Sequence, residues 1–194
     1  MDKDLLRSVA DEFKIAQRIL VVSHVRPDGD AIGSILGLGL ALKNSGKDVQ
    51  MISADGIPAS FRHLPGCSQV TKRADGHFDL IVYVDCADMD RVGEILEDQH
   101  LPDINIDHHP TNTLFARLNI VDPQAVATSE ILAEHMSAFG LWINQEVATA
   151  LLTGVVTDTL GFRTNNTSPK ALRISADLME KGADLPSLYY QTLI

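Results

Sequence analysis

Aromatic residues, cysteines and long apolar runs are all scarce in this sequence, and each shortage argues against a class of protein. Aromatic residues make up 5% of the 194 residues, whereas Ala, Leu, Ile and Val are plentiful, which favours helices packed on a sheet over an all-β sandwich. The two cysteines provide no disulfide framework and fit a reducing compartment. No stretch approaches the roughly 20 apolar residues that span a bilayer. The charged start MDKDLLRSVADEF has no signal-peptide apolar region. We therefore expect a soluble cytoplasmic protein.

Positively charged residues are also scarce. The chain has 16 Lys and Arg against 26 Asp and Glu, which gives a formal net charge of −10. Proteins that bind nucleic acids through phosphate contacts rely on Lys and Arg, so this balance argues against a simple nucleic-acid-binding surface. The objection weakens if the carboxylates converge on metal ions, because bound cations reverse the local field.

Short apolar runs alternate with helical patterns along the chain. Runs without strict alternation are typical of strands covered by helices, and they occupy 18–24, 48–54, 79–85 and 103–107, with a further candidate at 115–122. Helical patterns occupy 30–46, 91–98, 129–140, 144–162, 168–184 and the last ten residues. This alternation predicts an α/β fold with a predominantly parallel sheet and helices on both faces, in three α/β/α layers. We expect Ser129 to cap its helix, and Gly37 and Gly39 to allow close packing of a helix on the sheet.

Asp and His side chains follow three of the four predicted strands. In open α/β sheets, ligands bind beyond the carboxyl ends of the strands. The residues at these ends are His24, Asp28, Asp30, Asp85, Asp107, His108 and His109. Each has an ordinary alternative, since Asp-Gly-Asp also forms turns, a strand-end Asp can cap a helix, and a single His often only forms hydrogen bonds. Their coincidence at strand ends nevertheless predicts a site.

The chemistry of these residues indicates bound metal ions. Carboxylates crowded at one sheet edge repel each other unless some take up protons or a cation binds. Asp oxygen with His nitrogen suits Mn²⁺, Fe²⁺, Co²⁺ or Zn²⁺, and the absence of Cys ligands argues against a structural zinc. The spacing allows His24 and Asp28 to hold one ion and Asp30 a second, with Asp85 between them. Two dications roughly 3.5–4 Å apart are a known phosphoester-cleaving device.

Two more ligands are expected for the second ion. His108 follows the fourth strand. Asp158 continues an apolar helical stripe formed by Val147, Leu151 and Val155. Burying an isolated charge on such a stripe costs free energy, whereas a carboxylate that binds a metal ion is compensated there.

Four blocks of sequence resemble the DHH phosphoesterase superfamily. They read SHVRPDGDAIGS, VDCAD, DHHPTN and GVVTDTLGFRTNNT, in the order of that family, and together they span residues 23–167. Within the superfamily, the sequence is most similar to bacterial oligoribonucleases that also dephosphorylate 3′-phosphoadenosine 5′-phosphate (pAp). The resemblance implies two divalent ions, with Mn²⁺ expected first and Mg²⁺, Co²⁺, Fe²⁺ or Zn²⁺ as alternatives.

The resemblance also implies a role for each matching residue. One ion would be held by His24, Asp28 and Asp85, and the other by Asp30, Asp85, His108 and Asp158. His109 would be a catalytic residue over the substrate phosphate and not a ligand, with Asp107 orienting a histidine. Asn112 and Arg163 would contact phosphate.

The implied activity is hydrolysis of short oligoribonucleotides or pAp by a water that two metal ions activate. Family members usually continue into a second domain with a Gly-Gly-Gly-His-type loop, and nothing here matches it. We therefore expect residues 1–194 to be the catalytic DHH domain, either excised from a longer protein or a natural one-domain relative. Alternatives are a cyclic-dinucleotide phosphodiesterase, an exopolyphosphatase or pyrophosphatase, or a non-catalytic nucleotide- or metal-binding regulatory domain. The expected partners are a phosphate-ester substrate, no membrane, and a second copy as an option.

Overall fold

The strands form a single parallel sheet. The computed structural model describes residues 1–93, 95 and 101–193. Within these residues the strands are β1 (Arg18–Val22), β2 (Asp48–Ile52), β3 (Val70–Thr71), β4 (Leu80–Val84), β5 (Ile104–Asp107) and β6 (Leu118–Val121). They lie in the order β3-β2-β1-β4-β5-β6, and every neighbouring pair is parallel. The predicted α/β fold with a parallel sheet is confirmed.

Six α-helices accompany the sheet among the described residues. They are α1 (Lys3–Ile15), α2 (Gly29–Asn44), α3 (Thr128–His135), α4 (Gln145–Asp158), α5 (Pro169–Glu180) and α6 (Leu185–Leu193). Asn144 and Ser168 cap α4 and α5 by accepting backbone N–H groups of the first turn. The predicted strand 18–24 ends at Val22, because the chain leaves the sheet there and carries His24 into the loop beyond it.

The larger core lies between one sheet face and the helices. Helices α2 and α4 cross closely, and a Cβ at Gly33 would lie 2.6 Å from the carbonyl oxygen of Ala150. Gly37 and Gly39 were expected to allow close packing of a helix on the sheet, and the structure confirms this for Gly39 only. Gly39 leaves no room for a Cβ against Met51 of β2, whereas Gly37 faces Leu151 of α4 and so serves contact between two helices.

A smaller apolar cluster covers the opposite face of the sheet. Leu20, Val22 and Tyr83 are buried there with Val92 and Ile95, which come from the connection between β4 and β5. The predicted helix 91–98 belongs to this connection, and its residues 94 and 96–98 lie outside the described residues. Of the others, Arg91 ends the 3₁₀ helix Met89–Arg91, and Val92, Gly93 and Ile95 are not helical.

Among the described α-helices and strands, α1 and β3 were not predicted. Helix α1 contributes Val9 and Phe13 to the core, but the charged residues between them conceal this apolar face in the sequence. Strand β3 has only two residues and pairs with the end of β2 at the sheet edge, too short for a detectable pattern. Among the described helices, none combines the length and apolar character needed to cross a bilayer.

The strand order creates a crevice at the carboxyl edge of the sheet. From β1 the chain proceeds through α2 to β2 on one side, whereas β4 is followed by β5 and β6 on the other side. The neighbours β1 and β4 therefore flank the point at which the winding reverses. Ligands of open parallel sheets bind at such points.

Candidate metal centre

The crevice brings together the side chains that follow β1, β4 and β5 and the last residue of α4. Three groups of these residues have ligand-capable atoms that lie within 4.8 Å of one another. The groups are His24 with Asp28 and Asp85, Asp30 with His108 and Asp158, and Asp85 with His108 and His109. All six metal ligands expected from the sequence are thus collected in one place.

Asp85 lies at the centre of the cluster and faces both halves of it. Its Oδ2 is 3.4 Å from Nε2 of His24, and its Oδ1 is 3.7 Å from Nε2 of His108. The residue follows β4 in the left-handed backbone region, with φ of 55°, a conformation that Asp tolerates better than most residues. This turn directs a fully buried carboxylate into the crevice, with one oxygen toward each group of candidate ligands.

The second group is built from three different elements. Nε2 of His108 is 3.3 Å from Asp158 Oδ2 and 4.0 Å from Asp30 Oδ2. The other ring nitrogen of His108 lies 3.3 Å from the carbonyl oxygen of Ala125, so Nδ1 carries the proton and Nε2 is left free to bind a metal.

The first group combines a buried histidine with an exposed carboxylate. His24 is 2% exposed, and its Nδ1 lies 2.7 Å from the carbonyl oxygen of Val25, which leaves Nε2 facing Asp85. Asp28 Oδ1 accepts the N–H groups of Asp30 and Ala31 at 3.1 and 3.0 Å, and thus caps α2. The helix-cap and ligand interpretations of Asp28 are compatible, because the cap uses only Oδ1.

Electrostatics shows that this donor set suits a cation. Burial, reinforced by the carboxylates of Asp85 and Asp28, raises the pKa of Asp158 to about 8. Burial and the neighbouring Asp85 and Asp158 raise the pKa of Asp30 well above its usual range. Burial alone would raise the pKa of Asp85 too, but the hydrogen bond with His24 and the charge of His108 lower it. Without a cation, some carboxylates of the cluster keep a proton. A divalent ion that binds there would displace these protons.

A separate chain of hydrogen bonds holds His109 beside the cluster. Its Nδ1 lies 2.7 Å from Asp107 Oδ1, and this hydrogen bond raises the pKa of His109 against the opposing effect of burial. Asp107 is fully buried and accepts a second hydrogen bond, at 2.6 Å, from the side-chain amide of Asn112. Because Nδ1 lies against Asp107, Nε2 is the nitrogen of His109 that remains for a further interaction.

Comparison with known proteins identifies the family. The sequence profile described as the DHH family, N-terminal domain, matches residues 18–155. The chain belongs to the DHH family. The DHH chain is 38% identical over 94% of its length to the bifunctional oligoribonuclease and PAP phosphatase NrnA of Thermus thermophilus, and 27% identical over 98% to that of Bacillus subtilis.

Solved structures support the same assignment. An exopolyphosphatase-related protein from Bacteroides fragilis matches 98% of the DHH chain with a TM-score of 0.90 and 29% identity. A Methanococcus jannaschii structure described as a putative family II inorganic pyrophosphatase matches with a TM-score of 0.68 at 21% identity, which shows a shared fold. The DHH chain covers 56% and 60% of the two bifunctional relatives and 60% of each of these two structures.

The two predicted phosphate contacts of the DHH chain differ in their surroundings. The side-chain amide of Asn112 donates hydrogen bonds to Asp107, Asn105 and the Cys86 carbonyl oxygen. It is therefore part of the hydrogen-bond network that holds His109. Arg163 is exposed, and its Nε donates to the Leu160 carbonyl oxygen at 3.0 Å. Their phosphate contacts remain predictions.

The structure adds a cation that the sequence analysis overlooked. Nη2 of Arg91 lies 3.5 Å from Nδ1 of His24, and its backbone carbonyl accepts the Val25 N–H at 2.7 Å. No carboxylate oxygen of the described residues comes within 4.0 Å of this guanidinium. No motif in the sequence marks Arg91, because its proximity to His24 arises only when the connection after β4 folds against the loop after β1.

Proposed function

We propose that the chain is a Mn²⁺-dependent phosphoesterase that hydrolyses short oligoribonucleotides or pAp. The observation that carries this proposal is the position of Asp85, whose two carboxylate oxygens face separate groups of candidate ligands at 3.4 and 3.7 Å. A carboxylate placed in this way is suited to binding two ions at once, and paired ions are a known device for hydrolysing phosphate esters. The substrate classes come from the names of the bifunctional relatives, which are longer than this chain.

The assignment of ligands follows the two groups. His24, Asp28 and Asp85 would hold one ion, and Asp30, Asp85, His108 and Asp158 the other. When bound, the two ions supply activation of a water nucleophile and neutralisation of the charge that develops on the phosphoryl oxygens.

His109 is proposed to act on the substrate directly. Its raised pKa keeps the imidazole protonated to higher pH than a free histidine. With Nδ1–H donated to Asp107, the Nε2–H can donate to a phosphoryl oxygen or to the leaving oxygen as a general acid. Asp107 positions the ring and stabilises its charged form.

The decisive experiment measures phosphate release from pAp in parallel with nucleotide release from a two-to-five-residue RNA, in Mn²⁺ and in EDTA. We expect turnover that requires Mn²⁺. Asp85→Ala should abolish metal binding and turnover together, because both halves of the cluster lose their shared carboxylate. Retained turnover in this variant would refute the shared role of Asp85.

Inorganic polyphosphate belongs in the same assay as a second candidate substrate, because the chain matches an exopolyphosphatase-related protein with a TM-score of 0.90. Release of phosphate from polyphosphate alone would replace the proposed substrate class. Bound Mn²⁺ without hydrolysis of any substrate, including an activated phosphodiester, would reject the enzyme and favour the regulatory alternative.

A further inference from the structure

Helix α3 begins in the crevice without a capping side chain of its own. Its N-cap residue is Ala127, whose side chain has no hydrogen-bond acceptor, and the expectation that Ser129 caps the helix is wrong because the helix begins one residue before it. The cap comes instead from α2. Asp30 accepts the Thr128 N–H on Oδ2 at 2.6 Å and the Ser129 N–H on Oδ1 at 3.0 Å.

Thr128 also reaches the carboxylate that the two groups share. Its hydroxyl donates to Asp85 Oδ1 at 3.0 Å, and the residue is fully buried. From its backbone and side chain, Thr128 therefore contacts both Asp30 and Asp85. We propose that Thr128 is a positioning residue of the metal centre, which orients the carboxylates assigned to the two ions.

The turn that carries Thr128 is itself held by a buried charge. Glu130 is fully buried, and its Oε2 accepts the Val126 N–H at 2.7 Å. Lys170 of α5 approaches the other oxygen of Glu130 at 3.6 Å. The same turn presents the Ala125 carbonyl oxygen to Nδ1 of His108 at 3.3 Å. Glu130 thus fixes the segment that orients three of the proposed ligands, and we assign it the same positioning role.

This arrangement determines which carboxylate lone pairs remain for a metal. Asp30 Oδ1 is occupied by the Ser129 N–H and the Ser34 hydroxyl, whereas Oδ2 accepts one N–H and faces His108. The donors also stabilise the ionised carboxylates against mutual repulsion. Loss of such outer partners typically costs about 10–100-fold in metal affinity. The inference rests on the proposed metal site, and it does not depend on the substrate.

The primary test is Thr128→Val, which removes the hydroxyl and preserves the shape of the side chain. Mn²⁺ binding is measured by titration calorimetry and by the EPR signal of free Mn²⁺, and the melting temperature is measured without metal. We expect about tenfold weaker Mn²⁺ binding in a chain that still unfolds cooperatively, with a moderately lower metal-free melting temperature because Asp85 loses one buried hydrogen bond. Thr128→Ser keeps the hydroxyl and should restore affinity. Unchanged affinity in Thr128→Val, or equal losses in both variants, would overturn the role of the hydroxyl.

Glu130 has a matched control in Glu134. Both glutamates belong to α3 and approach Lys170, but Glu134 is exposed, and no hydrogen bond among the described residues joins it to the cluster. Glu130→Gln should weaken Mn²⁺ binding several-fold, whereas Glu134→Gln should not. Equal losses of Mn²⁺ affinity in the two variants would mean that Glu130 acts only through its negative charge and does not position the turn.

The outcomes separate the inference from the proposed function. If the wild-type chain binds Mn²⁺ but hydrolyses no phosphate ester, the proposed function fails, and a weakened Thr128→Val variant still supports the inference. If the wild-type chain turns over substrate and Thr128→Val binds Mn²⁺ normally, only the inference fails. Absence of Mn²⁺ binding by the wild-type chain would overturn both.

Discussion

Proton release should make Mn²⁺ binding strongly dependent on pH. Burial and the carboxylates of Asp85 and Asp28 raise the pKa of Asp158 to about 8, so this carboxyl group is protonated at neutral pH when no metal is bound. Mn²⁺ can use Asp158 as a ligand only after displacing that proton. His24 must also lose a proton to bind a metal, and its pKa is raised because the hydrogen bond with Asp85 and nearby charges outweigh burial.

The expected slope follows from the number of protons displaced. Each displaced proton makes the apparent affinity rise about tenfold per pH unit below the pKa of the group. From Asp158 alone, the Mn²⁺ affinity should rise about tenfold between about pH 6 and about pH 7 and level off above about pH 8. Protons displaced from His24 or Asp30 would make the slope steeper.

The same linkage sets the stability of the metal-free chain. A carboxyl group with a raised pKa in the folded state binds its proton more tightly there than in the unfolded chain. Its contribution to the free energy of unfolding is present below the unfolded pKa and is lost as the pH rises through the folded pKa. Metal-free stability should therefore fall as the pH rises from about 4 to about 8, and Mn²⁺ should reverse the loss.

Calorimetric titration of Mn²⁺ in two buffers with different ionisation enthalpies measures the number of protons released. Asp158→Asn removes one titrating ligand and should reduce the pH slope by one proton while weakening binding at high pH. Asp177→Asn, an exposed change on α5, is the control and should leave the slope unchanged. A wild-type affinity independent of pH, or the same slope in Asp158→Asn, would refute the reasoning.

Three further substitutions probe the site. Gly154→Ala would press a Cβ against the Ser129 hydroxyl and place it 2.5 Å from Asp30 Oδ1, so we expect Mn²⁺ affinity to fall about tenfold and stability by about 1–3 kcal/mol; wild-type binding would contradict the close packing. Asp107→Asn removes the charge that raises the pKa of His109, so the alkaline limb of the kcat profile should move to lower pH while Mn²⁺ content is retained; an unmoved limb would reject His109 as the acid. Arg91→Gln should raise KM more than it lowers kcat while the chain still binds Mn²⁺, and an unchanged KM would exclude a substrate contact.

The fold class and the proposed ligand set could both be predicted from local patterns. Apolar runs without alternation indicated β1, β2, β4 and β5 because covered parallel strands bury both faces. The rule that ligands bind at the carboxyl ends of such strands then directed attention to His24, Asp85 and His108. Asp158 stood out because a charge that continues an apolar helical stripe is costly unless it has a partner.

Other features depend on contacts between segments far apart in sequence. Thr128 and Asp30 are 98 positions apart, and nothing local shows that Asp30 supplies the cap that Ala127 lacks. Arg91 approaches His24 across 67 positions, through the packing of two loops. Gly154 matters because a carboxylate of another helix lies directly over it.

Strand periodicity and the positions of Asp and His are local properties, so the amino-acid sequence reveals which chemical groups are available. The orientation and charge of those groups depend on the folded chain. The left-handed turn at Asp85, the burial that raises the pKa of Asp158, and the cap that α2 gives to α3 all arise from packing. Burial and hydrogen-bond direction depend on all surrounding elements at once, and no short window of sequence contains them.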